Sequence, residues 1–169
     1  MPGLNGHSPE MADRTEAIAA ELVAARDDFL AVLDAIEPDR LTRPGLLGEW
    51  SARELIAHMG YWAGRAVDLI QAAELGGIET FGEGRPSVDE INATVARVAR
   101  DTDLATVQSR ERASVEALVE RLLVLDPSLL GERLPDGATL EEGIREDGAA
   151  HYREHAEELR RVLEERPRG

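Results

Sequence analysis

Histidine offers the most chemistry in this sequence, and His151 and His155 stand four residues apart in Gly148-Ala-Ala-His151-Tyr-Arg-Glu-His155-Ala-Glu-Glu-Leu159. On a helix that spacing stacks two imidazoles on one face with Cβ atoms ~5–6 Å apart, a two-toothed clamp for a metal ion. A useful site needs a third donor. Of the other two histidines, His58 lies inside the helical pattern Glu54-Leu-Ile-Ala-His58-Met-Gly-Tyr-Trp62, whereas His7 lies in a Gly/Pro/Asn-rich start. Three neutral imidazoles at ~2.0–2.1 Å from an ion leave a position for water or substrate, the layout of a catalytic zinc site. Nickel and iron take the same donors. The competing reading of His151 and His155 is a half-exposed pair among Arg153, Glu154, Glu157 and Glu158. The neighbours of His58 are the apolar Leu55, Ile56, Ala57 and Met59, which puts its imidazole at the core, where it needs a partner.

Composition removes most alternatives. Cysteine is absent, so there is no thiolate nucleophile, disulfide or cysteine-type zinc site. All 19 basic residues are arginine, which excludes a Schiff-base or P-loop lysine. No Gly-x-Ser-x-Gly elbow or Gly-x-Gly-x-x-Gly fingerprint occurs. Glu54-His58 and Glu154-His155 lack the Glu-x-x-His spacing of di-iron bundles, so one metal is favoured over two. The net charge of −15, from 34 acidic residues, repels phosphate backbones and anionic lipid, and the expectation is no nucleic-acid and no membrane partner. No apolar run approaches the ~18 residues of a membrane span, and Met1–Ser8 lacks the marks of a signal peptide, so a cytoplasmic protein is expected.

The elements that must position the histidines are helical. Only six residues are aromatic, and the apolar content is mainly Ala, Leu and Val, which suits helix–helix packing. Residues 1–10 are expected to be a flexible N-terminal segment, although Ser8-Pro9-Glu10 reads as a helix start, and residues 11–166 a single domain. The first helix carries Ile18, Leu22, Ala25, Phe29, Val32, Leu33 and Ile36 at three- and four-residue steps. Capping boxes at Ser51/Glu54, Ser87/Glu90 and Thr139/Glu142 open three more. The second runs to about Leu75 with Leu55, His58, Met59, Trp62, Ala66, Leu69 and Ile70 inward, followed by a glycine-rich segment from Gly76 to Pro86 long enough for a lid or arm. The third includes Ile91, Val95 and Val98 and continues through Leu104, Val107, Val115, Leu118 and Leu122, broken or bent near Asp101-Thr-Asp103. The last runs from Thr139 to just before Pro167. The fold class is all-α, a four-helix bundle with at least one crossover.

The stretches Trp50-Ser51-Ala-Arg-Glu54-Leu-Ile-Ala-His58-Met-Gly-Tyr-Trp62 and His151-Tyr-Arg-Glu-His155-Ala-Glu-Glu-Leu159-Arg resemble the second- and last-helix signatures of the DinB/YfiT-like superfamily, in that order and separation. Ser87-Val-Asp89-Glu90-Ile-Asn92 resembles the opening of the third helix in actinobacterial members. The resemblance implies an up-down-down-up bundle, often a homodimer, with a divalent metal, zinc or nickel, on His58, His151 and His155. It also implies an enzyme acting on a small-molecule electrophile, as a mycothiol-type thiol S-transferase, an isomerase or a hydrolase. Mycothiol would then be a co-substrate. Some members lack the metal, which leaves a metal-free binding or sequestration protein as the alternative. Around the histidines, helix spacing offers Asp147 and Glu54, each four residues before a ligand, to orient His151 and His58, but the stronger reading is Glu54 as a capping residue and Asp147 as a solvated carboxylate. Trp62 reads as a core filler, Arg65 equally as an anchor for an anionic group or a side chain snorkelling to water, and Asn92 equally as a polar pocket contact or an exposed first-turn residue.

Overall fold

The computed structural model describes residues 9–165, and the side chains of residues 14–165. His7, Ser8 and the expected flexible start fall outside that range, apart from the backbone of residues 9 and 10. The chain is an all-α helical bundle: α1 (Pro9–Asp34), α2 (Ala52–Glu74), α3 (Val88–Arg100), α4 (Leu104–Val124), α5 (Leu140–Arg145) and α6 (His151–Glu165). Among the described residues there is no strand, only the isolated bridges Leu47–Trp50 and Arg133–Thr139. Among the described residues no helix is long and apolar enough to cross a membrane.

The three capping boxes form as their spacing requires, with Ser51, Ser87 and Thr139 each accepting the backbone N–H of the glutamate three residues on. The break near Asp101 is a true interruption. Asp103 caps a new helix by accepting the Thr106 N–H at 2.8 Å, so the third expected helix is two. The last expected helix is not regular either. Between α5 and α6 lies a π-helical turn, Glu146–Ala150, in which Gly148 leaves helical geometry at φ −109°, ψ −110°.

The apolar stripes of α1 and α2 are buried throughout, with Phe29, Leu55, Met59, Leu69 and Ile70 fully so. Val98 is the exception among the expected core residues: it is 45% exposed, because α3 packs against α2 and leaves a groove toward α4. α2 packs against α4, and α1 against both α6 and α4. At the α2/α4 crossing a Cβ built on Gly60 would lie 2.9 Å from Glu111 Cα, so only glycine permits the approach. Glu111 is 2% exposed, receives both Arg26 Nε and Nη2 at 2.7 Å, and accepts the Tyr152 hydroxyl at 2.5 Å. One carboxylate thus joins α1, α4 and α6.

Gly60→Ala should destabilise the fold by ~1–3 kcal/mol, because two backbones must part and the loss exceeds the ~1 kcal/mol gained in helix propensity. Gly64→Ala, whose new Cβ meets only Ser114 Oγ at 3.7 Å, should be neutral or slightly stabilising. Urea unfolding of the two variants checks the contrast, and equal effects would show that the crossing is not tight.

Candidate metal centre

His58 enters the site from the second turn of α2, and His151 and His155 come from the first two turns of α6. The Nε2 atoms of His58 and His151 are 2.9 Å apart, and one donor atom from each of the three rings lies within 4.8 Å of the others. Nitrogens at ~2.0–2.1 Å from a tetrahedral ion are ~3.3 Å apart, so the rings would need only side-chain adjustment to share one. The ring centroids are 4.8 Å apart for His58–His151, 5.1 Å for His58–His155 and 4.8 Å for His151–His155.

The donors are in the right state. Burial, reinforced by the neighbouring imidazoles, pushes His58 down to about 3, and the same causes push His151 down to about 4. Both are neutral at pH 7, as a metal ligand must be. His58 is 5% exposed, and its Nδ1 has no hydrogen-bond partner among the described residues. His155 Nδ1 meets Glu158 Oε2 at 2.7 Å, and when that nitrogen carries the proton its Nε2 is free for an ion. The site therefore suits a divalent ion by donor set, protonation and spacing.

Neither carboxylate that helix spacing offered orients a ligand imidazole, and for Glu54 the capping reading holds. Glu54 is used by its capping box, accepting Ser51 N at 2.7 Å, and by Arg100 Nε at 2.5 Å, so it does not hold His58. Asp147 accepts from Arg65 Nη1 at 2.5 Å and has no bond to His151. Glu158 does this work for His155, and the i,i+3 spacing that would have revealed it was in the sequence.

Beside the histidines a pocket of about 370 Å³ is lined by His58, Trp62, Arg65, Asn92, Asp147 and His151, among others. Trp62 is 7% exposed and donates Nε1–H to Asn92 Oδ1 at 3.1 Å, so both reach the pocket as a hydrogen-bonded pair. The Arg65 guanidinium lies 5.2 Å from the Trp62 ring and 5.4 Å from Phe81, whose ring also meets Arg85 at 4.6 Å. The segment after α2 is thus fastened to α2 by stacked cations, with Ile78 buried beneath it. Asp147 is 4% exposed, and burial pushes its carboxyl up to about 6 although the Arg65 charge pulls it down.

These shifts set a pH dependence for the metal-free protein. Below 6.5 the unfolded chain protonates its histidines while folded His58 and His151 stay neutral, so their contribution is lost as pH falls from 6.5 toward 4. Asp147 acts oppositely, taking its proton near 6 when folded and near 3.8 when unfolded. Two imidazoles outweigh one carboxyl. The thermal midpoint of chelator-treated protein should fall between pH 7 and 4.5, and Asp147→Asn should steepen that fall. A midpoint that rises over this window would contradict the assignment.

No curated protein matches this sequence. Solved structures that share the fold include these two. One is the colibactin self-resistance protein ClbS in complex with a dsDNA, at 16% identity and TM-score 0.72, covering 90% of this chain and 97% of that one. The other is an uncharacterised protein from Escherichia coli UTI89, at 18% identity and TM-score 0.68, covering 86% and 92%. The first corrects the exclusion of nucleic acid drawn from net charge, since a protein of this fold holds dsDNA. The physical fault is that net charge sums the whole molecule, whereas a duplex meets one face within about a Debye length, ~8–10 Å. Arg97 and Arg100 close α3 and Arg53 reaches Thr102 O just beyond it, with Arg100 paired to Glu54 and Asp101 and Asp103 beside them. The family model for the DinB superfamily matches residues 21–159, most of the chain and all three histidines, and the protein belongs to that superfamily.

Proposed function

We propose that this protein is a metal-dependent enzyme that directs water or a low-molecular-weight thiol, such as mycothiol, at a small electrophile. The reaction class is S-transfer, isomerisation or hydrolysis. The observation that carries this reading is the convergence of His58, His151 and His155, from two helices, with donor atoms within 4.8 Å beside a pocket of about 370 Å³. These rings would hold a divalent ion, zinc or nickel, which would lower the pKa of a bound water or thiol and so make a nucleophile available at neutral pH. The chain's own residues do the rest. Glu158 holds the His155 ring, while Trp62 and Asn92 brace the wall from which a substrate is approached. Arg65 holds Asp147 inside the pocket at 2.5 Å, leaving its remaining N–H groups to meet substrate oxygen.

A second reading is metal-free sequestration of a toxic small molecule. It is favoured by the likeness in fold to a colibactin self-resistance protein and by a largely apolar groove of about 320 Å³ between α2, α3 and α4. Metal content of untagged protein separates the two. The enzyme reading expects close to one ion per chain, with His58→Ala lowering metal affinity at least about tenfold while helix content is retained. Sub-stoichiometric metal that does not rise on reconstitution, or unchanged metal binding in His58→Ala, would transfer the case to sequestration.

A further inference from the structure

The pocket beside the histidines carries a charge pattern that its metal ligands do not explain. Four carboxylates from three parts of the chain line it: Asp136 from the turn before α5, Glu146 and Asp147 from the π-helical turn, and Glu154 from α6. Arg65 is the one cationic side chain among its lining residues. That cation is already engaged, with Nη1 on Asp147 and aromatic rings at 5.2 and 5.4 Å.

The other three carboxylates have no ion-pair partner among the described residues. Asp136 accepts only the Ala138 N–H, at 3.0 Å. All three are exposed, and no arginine other than Arg65 lines the pocket with them. A dication on the histidines would still leave the carboxylates in excess by one. The remaining wall is apolar and aromatic, from Trp62, Val88 and Leu134.

We propose that the substrate this pocket selects carries a cationic group, a protonated amine or amidine, on a small apolar or aromatic body. The proposal rests on reading this pocket as the ligand site. The volume is at the small end of the ~300–1,000 Å³ common to small-molecule sites. Three carboxylates around one half-enclosed pocket act in concert, so their attraction for a cation survives solvent screening better than that of a single surface charge. Arg65, whose charge Asp147 already balances, has N–H groups left for a neutral substrate oxygen but no unpaired charge to recruit an anion.

Benzamidine, benzamide and benzoate have nearly the same shape and carry charges of plus one, zero and minus one, which makes them suitable probes. They are titrated into full-length protein treated with chelator, so that benzoate cannot bind an ion. The indole N–H resonance of Trp62 reports binding, because it donates to Asn92 at the pocket wall, and Trp50→Phe assigns it. Affinity should fall in the order benzamidine, benzamide, benzoate, with at least about tenfold between the ends. Asp136→Asn, Glu146→Gln and Glu154→Gln together should bring that ratio to within about threefold of unity. Glu16→Gln, Glu116→Gln and Glu120→Gln change the net charge equally but lie outside the pocket, and should leave the ratio as it was. Benzoate binding as well as benzamidine, a preference that survives the pocket triple variant, or no binding of any probe at tens of millimolar would each overturn the proposal. Metal stoichiometry is measured separately, so failure here leaves the metal reading intact, and absence of metal leaves this test intact.

Discussion

The carboxylate of Glu111 is the interaction on which the geometry of the candidate centre depends. It sits on α4 where Gly60 lets α2 come within a Cβ's width, and it takes two hydrogen bonds from Arg26 of α1 and one from Tyr152 of α6. Tyr152 directly follows His151, so the same bond that satisfies a buried tyrosine fixes the rotation of the helix bearing two histidines. Burial and the Glu111 charge push the Tyr152 hydroxyl well above its ordinary value, which keeps it a donor. Buried ion pairs add little net stability over apolar packing, but removing one partner costs ~3–5 kcal/mol, so such a network penalises every misregistered arrangement of α1, α4 and α6. Registration is what a three-helix junction beneath the candidate metal centre needs.

What could be read from the sequence was what local rules decide. Three capping boxes, the stripes of α1 and α2 and the placement of His58 among apolar neighbours follow from i,i+3 and i,i+4 geometry, and the structure holds each of them. The convergence of His58 with His151 and His155 was reached through family resemblance as well as spacing, because no local rule says which helices face each other. What escaped is tertiary or irregular. Glu54 and Asp147 have the spacing of ligand-orienting groups, yet arginines from other elements, Arg100 and Arg65, reach them across the bundle. The π-helical turn before His151 is invisible to a periodicity count, since one extra residue per turn blurs a 3.6-residue pattern without breaking it. Glu111 carries no local signal in the sequence, and only the packing of three helices makes it central.

Charge taught the same lesson at two scales. The total of −15 was used to exclude nucleic acid, and the solved complex of a protein of this fold with dsDNA removes that exclusion. Electrostatics in water is local, so the distribution matters more than the sum. The end of α3 mixes Arg97 and Arg100 with Asp101 and Asp103, while the pocket beside the histidines is lined by four carboxylates and one arginine. The sequence lists the charges but not which of them share a surface.

The central claim is that three imidazoles from two helices hold one ion with room beside it. X-ray absorption at the metal edge of reconstituted, untagged protein tests this most directly. The account predicts a first shell containing three imidazole nitrogens at ~2.0–2.1 Å, with at least one further light-atom ligand in the open position. A shell with fewer than three imidazoles, or one dominated by carboxylate and water oxygens, would contradict it.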